Sequence, residues 1–125
     1  MTKLPVLLGA TLVTVISLAL LSMHTRVAHA QSQPVATQWG TVTVYYTGWS
    51  QNAIQVSTTA PYVNPNNCYS TDQSYVTDPS NAGQQSQQAT LLGAFLSGKK
   101  VLLWLQGCSY AMGNRAEIVG VGVQP

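Results

Sequence analysis

The run Leu91-Leu92-Gly93-Ala94-Phe95-Leu96-Ser97-Gly98-Lys99-Lys100-Val101-Leu102-Leu103-Trp104-Leu105 changes its period in the middle, and that change decides the fold. Before Gly98, Leu91, Leu92, Phe95 and Leu96 recur at helical spacing. With the Gln- and Ala-rich stretch from Gln84, this predicts an amphipathic helix over residues 84–96, the quartet facing inward. Gly98 is placed to end it in the left-handed conformation, and Lys99 and Lys100 sit beside the negative end of the helix dipole. Val101 to Leu105 is an apolar run too short for a helix before Gly107-Cys108. It reads as a strand buried on both faces, with Trp104 in the core or at a subunit interface.

Working outward, Ala116 to Val123 supplies a last strand, in which Gly120 and Gly122 mark a bulge or a close backbone approach. Upstream of the helix, Asp78-Pro79-Ser80-Asn81 is a turn, and a weakly marked strand is expected between Cys68 and Val76. Ala60 to Asn67, with its prolines and asparagines, is loop. Ile54-Gln55-Val56-Ser57-Thr58 alternates, and so does Thr41-Val42-Thr43-Val44-Tyr45-Tyr46. In the latter, Val42, Val44 and Tyr46 share one face, and Thr41, Thr43 and Tyr45 share the polar one. The turn between these two strands, residues 47–52, makes them a hairpin, and residues 31–38 are a polar N-terminal arm. The order is strand, strand, weak strand, helix, strand, strand. That predicts a mainly β fold with one helix: an OB-fold, a five-stranded Greek-key barrel with its helix between strands three and four, over residues 39–125. A ferredoxin-like domain needs a second helix, and the sequence offers none.

Residues 1–30 read as a signal peptide. Lys3 gives a positive start, Leu4 to Met23 carries no charge, and Ala28-His29-Ala30 is a small-x-small cleavage site. The rival reading is a retained membrane anchor, which makes an uncleaved leader the only membrane contact expected. With cleavage, 95 of the 125 residues remain, enough for one small domain, and export takes it to the periplasm or outside the cell.

Cleavage also empties the chain of catalytic chemistry. Both histidines, His24 and His29, leave with the leader, and Lys99, Lys100 and Arg115 then face Asp72, Asp78 and Glu117. Three cations balanced by three acids form no nucleic-acid surface. No imidazole remains for a triad or a zinc site. Asp72 and Asp78 are compatible with a weak calcium site or an acid pair, but solvated loop carboxylates are the commoner case. The expectation is no enzyme, no metal and no cofactor. Cys68 and Cys108, the only cysteines, are expected to pair in an oxidising compartment, a reactive thiol or intermolecular bond being the alternatives.

Several short motifs then carry a resemblance. A leader runs into Gly40-Thr41-Val42-Thr43-Val44, followed by a polar cysteine-bearing middle. A Leu-rich helix ends in Ser97-Gly98-Lys99-Lys100-Val101, and a strand runs into Gly107-Cys108. The chain resembles small secreted proteins related to the B subunit of subtilase cytotoxin and, more loosely, pertussis-like toxin B subunits. The resemblance implies an OB-fold that assembles as a ring of five, binds cell-surface glycans and, in a full toxin, carries a secreted catalytic A-type subunit. Where that family places a sialic-acid-contacting serine before the glycine of strand one, this chain has Trp39, so no site residue transfers by identity.

The site is therefore expected from residue chemistry. Neutral glycans stack on aromatic faces ringed by amides and hydroxyls, and an OB-fold offers its strand two and three face with adjoining loops. Trp39, Tyr45, Trp49, Gln51 and Asn52 are the candidate contacts. The competing role for these aromatics is packing on the barrel or on a neighbouring subunit. A structural or protein-interaction domain of the periplasm or cell surface, with no small ligand, is the alternative function.

Overall fold

The computed structural model describes residues 32–48 and 51–125; the expected leader and cleavage site lie outside them. Six strands and one helix follow in the order β1 (Val35–Ala36), β2 (Gly40–Tyr46), β3 (Gln55–Thr58), β4 (Tyr75–Thr77), α1 (Gln84–Ser97), β5 (Lys100–Ser109) and β6 (Arg115–Val123). They form one mixed sheet, β1-β5-β2-β3-β4-β6, and an additional pairing joins β6 back to β5, so β2, β3, β4, β6 and β5 close into a ring with β1 outside it. All pairings are antiparallel except β4 with β6. The helix enters between the third and fourth strands of the ring, as the sequence order requires. The sixth strand comes from the polar arm: Val35 and Ala36 pair with Leu105 and Trp104, and Thr37 is buried, its Oγ1 accepting the Leu103 N–H at 3.0 Å.

The ring is filled by Val42, Ile54, Val56, Tyr75, Leu91, Val101, Leu103, Leu105 and Ile118. Closing so small a ring brings backbones together, most tightly at Gly40. A Cβ there would stand 2.5 Å from the Ala60 nitrogen, so only glycine fits. The helix ends as expected, with Gly98 at φ 66° and its N–H bonded to the Ala94 carbonyl.

Three side-chain assignments change. In β2, Val42 faces Thr58 but Val44 faces Ser57, so the strand takes one extra residue at a bulge. A bulge reverses the alternation beyond it. Tyr45 accordingly packs on the core and Tyr46 is 54% exposed, the opposite of the alternating pattern. In α1 the buried stripe is Gln84, Gln87, Leu91 and Ala94, whereas Leu92, Phe95 and Leu96 are exposed, Leu96 at 76%. Leu91 belongs to both stripes. The helix is rotated toward its polar side because the glutamines, not the leucines, meet the β2–β3 turn: Gln84 Nε2 donates to the Asn52 carbonyl, and Gln88 Nε2 donates to the same oxygen at 3.1 Å. Finally, β5 is not buried on both faces. Val101, Leu103 and Leu105 point inward, while Trp104 is 45% exposed and lies outside the core.

The Cys68–Cys108 disulfide joins the segment before β4 to the end of β5, with Cα atoms 5.7 Å apart. Asparagine side chains secure its surroundings. Asn64 exchanges two 2.9 Å bonds with the backbone of Cys68, and Asn66 Oδ1 accepts from Gly107 N at 2.8 Å. Asn114 Oδ1 accepts from Tyr69 N at 2.6 Å.

Candidate functional site

The outward face of β5 and β6 carries two half-exposed indoles, those of Trp104 and Trp39. Trp104 is paired with Gly120 and Leu102 with Gly122, so these four residues share one face, away from Leu103 and Leu105. Because both partners on β6 lack a side chain, the indoles lie on the backbone itself. A Cβ on Gly120 would be 3.2 Å from Trp104 Cδ1, and one on Gly122 would be 3.5 Å from Trp39 Cη2. Aromatic rings laid over strand glycines cover the backbone that glycine leaves bare. The two glycines are two residues apart, roughly 7 Å along the strand. Trp39 is 43% exposed and Trp104 45%, so each keeps a large part of its ring toward solvent while the glycine beneath fixes its position.

The expected contacts do not form one constellation. Trp39 lies on this platform, where it is joined by Trp104. Tyr45 is elsewhere: its ring stacks on Phe95 of the helix with centroids 5.9 Å apart, and its hydroxyl donates to the Gln88 carbonyl at 3.4 Å. Burial raises the Tyr45 phenol above its ordinary pKa, so it is a neutral donor at all physiological pH. Gln51 and Asn52 are exposed on the β2–β3 turn, where their backbone carbonyls are engaged by Ala53 N and by the helix glutamines. Trp49 lies outside the described residues. Its place in an apolar run points Trp104 to the core or a subunit interface rather than to a binding site. The available signal was the Gly120/Gly122 pair on the neighbouring strand, which leaves no partner side chain to bury an indole on that face.

The acids are arranged separately. Asp72 receives Arg115 through Nε and Nη2, and Ser70 and Ser74 donate to its Oδ1 at 2.9 and 2.5 Å. The Arg115 hydrogen bonds hold its carboxyl well below the usual range. Asp78 accepts from the hydroxyls of Ser109 and Ser80, which lower its pKa. Glu117 is raised by burial and by the charge of Asp78, against a hydrogen bond from Asn81. Asp72 and Asp78 thus serve different hydrogen-bond sets and do not act as a pair. Among the described residues, no group of three or more His, Cys, Asp and Glu side chains is placed to hold a metal, and no helix is long and apolar enough to cross a membrane. No family model matches the chain, and no curated protein or solved structure matches it either.

Proposed function

We propose that this chain is an exported, non-enzymatic binding module of the OB-fold class that takes neutral glycans on the Trp39/Trp104 platform. The single observation that carries the reading is the seating of two half-exposed indoles on Gly122 and Gly120 of one strand face. Rigid aromatic faces give a sugar ring large contact area at little entropic cost, and the surrounding surface supplies neutral donors such as Gln38, Thr41 and Gln124. The ring order of the five strands and the position of α1 support the OB-fold assignment. The disulfide supports an oxidising destination, consistent with the leader.

The platform sits on β5 and β6 rather than on the β3–β4 face and its loops, so the binding face differs from the one usual for this architecture. A glycan array probed with the oxidised, processed protein tests the reading. Binding of neutral glycans that Trp104→Ala and Trp39→Ala each weaken about tenfold or more, without loss of folding, is the expected result. Binding that both variants leave unchanged removes the platform.

A protein-interaction domain is the second reading, favoured by the exposed Leu92, Phe95 and Leu96 on α1. That reading takes no small ligand, whereas self-association as a ring of five and docking of a secreted A-type subunit belong to the glycan-binding reading. Light scattering tests the ring: a single-chain mass at all micromolar concentrations ends it.

A further inference from the structure

The β4–β6 ladder stops at Thr77 opposite Ile118, so from Val119 onward β6 has a ladder partner, β5, on one side only. The first turns of α1 approach this part of β6 and leave a groove of about 240 Å³, lined by Gly83, Ser86, Gln87 and Thr90 and by residues 119–121 of β6. Gly120 is common to the groove and to the floor beneath Trp104. The groove therefore adjoins the aromatic platform.

Gln87 is only 7% exposed, and its Oε1 is buried without a hydrogen-bond partner among the described residues. Its neighbours Gln84 and Gln88 both donate to the β2–β3 turn, so the helix has a structural use for those two amides and none for this one. Leaving a buried carbonyl unpaired costs its full desolvation penalty, and a leucine of similar size would avoid that cost. The rest of the lining is neutral and hydroxylated. Thr90 Oγ1 donates to the Ser86 carbonyl at 2.8 Å and keeps its lone pairs free to accept, and the Ser86 hydroxyl makes no bond within the chain among the described residues. No charged side chain lines the groove, which disfavours phosphate and carboxylate ligands. The volume lies below the roughly 300–1,000 Å³ of clefts for drug-sized ligands, so one ring fits and an oligosaccharide does not.

We infer that this groove is a subsite for a single neutral sugar ring, one hydroxyl or amide N–H of which donates to Gln87 Oε1 once the side chain turns that atom, closed to solvent in the free protein, toward the groove, while the remainder of the glycan lies across Trp104. The choice of sugar rests on the glycan reading above; the groove and its unpaired acceptor do not. Backbone amide and indole N–H signals of the processed, oxidised protein, titrated separately with lactose, N-acetylglucosamine and methyl glucoside, test it. At least one probe is expected to move the amides of Gly83, Ser86, Gln87 and Gly120 together with the indole signals of Trp39 or Trp104. Gln87→Leu is expected to melt at the same or a higher temperature and to weaken the groove response at least tenfold. Ser86→Ala, on an exposed position, gives a smaller loss with folding intact. Indole shifts with silent groove amides overturn the subsite and leave the platform standing, whereas groove shifts with silent indoles keep the subsite and end the platform. Silence at both ends both, and a Gln87→Leu protein that binds as before ends the role of Oε1.

Discussion

The segment around Cys68–Cys108 and the segment around α1 are both rich in polar residues, yet they use them in opposite ways. Near the disulfide, side chains close onto backbone: Asn64, Asn66 and Asn114 cap the loop peptides, and Asp72 collects Arg115, Ser70 and Ser74. Around α1, two glutamines hold the turn, but a third keeps a buried oxygen unpaired among the described residues, while Leu92 and Phe95 are partly and Leu96 largely exposed. The first region is finished within the chain. The second, together with the β6 face beside it, keeps polar and apolar groups that the fold does not consume. If the platform and groove bind as proposed, stability and function are allotted to different parts of a small domain.

The sharpest way to break this contrast is on the helix. Leu91→Asp places an unpaired charge at a fully buried position and is expected to abolish folding, a loss of more than about 4 kcal/mol. Leu96→Asp, at 76% exposure, is expected to change stability by less than about 0.5 kcal/mol. Thermal melts followed by circular dichroism check both; equal damage would mean that Leu96 is covered in the protein as it exists, as an interface requires.

Removing the disulfide tests the other region. The bridge spans a sequence separation of 40 residues. In the chain-entropy model, closing a loop of that length is worth about 4 kcal/mol. Cys68→Ser with Cys108→Ser should lower the denaturation free energy by about 2–4 kcal/mol, with faster amide exchange near Asn64–Ser70 and Gly107 than in α1. Uniform exchange throughout would show that the two regions are one cooperative unit.

The smallest effect is acid titration. Glu117 has a raised pKa in the fold, so its ionised form burdens the folded state above that pKa and the burden lifts as pH falls through it. Asp72 and Asp78 have depressed pKa values, so the stability they contribute is complete above their unfolded values, near pH 4, and is lost as pH falls toward the folded ones. Melting temperature should rise slightly from neutral pH to about 5 and drop below about 4. A melting temperature indifferent to pH below 4 would remove the Arg115–Asp72 clamp from the stability account.

Much of this was legible in the residues. The hairpin, the weak third strand, the helix limits, the Gly98 cap, the existence of a strand after it and the pairing of two cysteines follow from local periodicity, turn chemistry and arithmetic. The errors share a cause. Tyr45 and Tyr46 exchange faces because a bulge, invisible to a period-two pattern, adds one residue to β2. Leu92, Phe95 and Leu96 face outward because the helix rotation is set by what Gln84 and Gln88 meet across the fold, not by where the leucines cluster.

Sequence alone determined the inventory of the described residues: mostly strands, one helix, one disulfide and few charged side chains. These follow from nearest-neighbour sterics and composition, which act along the chain. Tertiary structure alone decided which aromatics are presented and where, setting Trp39 and Trp104 on Gly122 and Gly120 and leaving Gln87 Oε1 beside them without a partner. Such placements depend on register between strands far apart in sequence, where a shift of one residue turns a side chain from core to solvent.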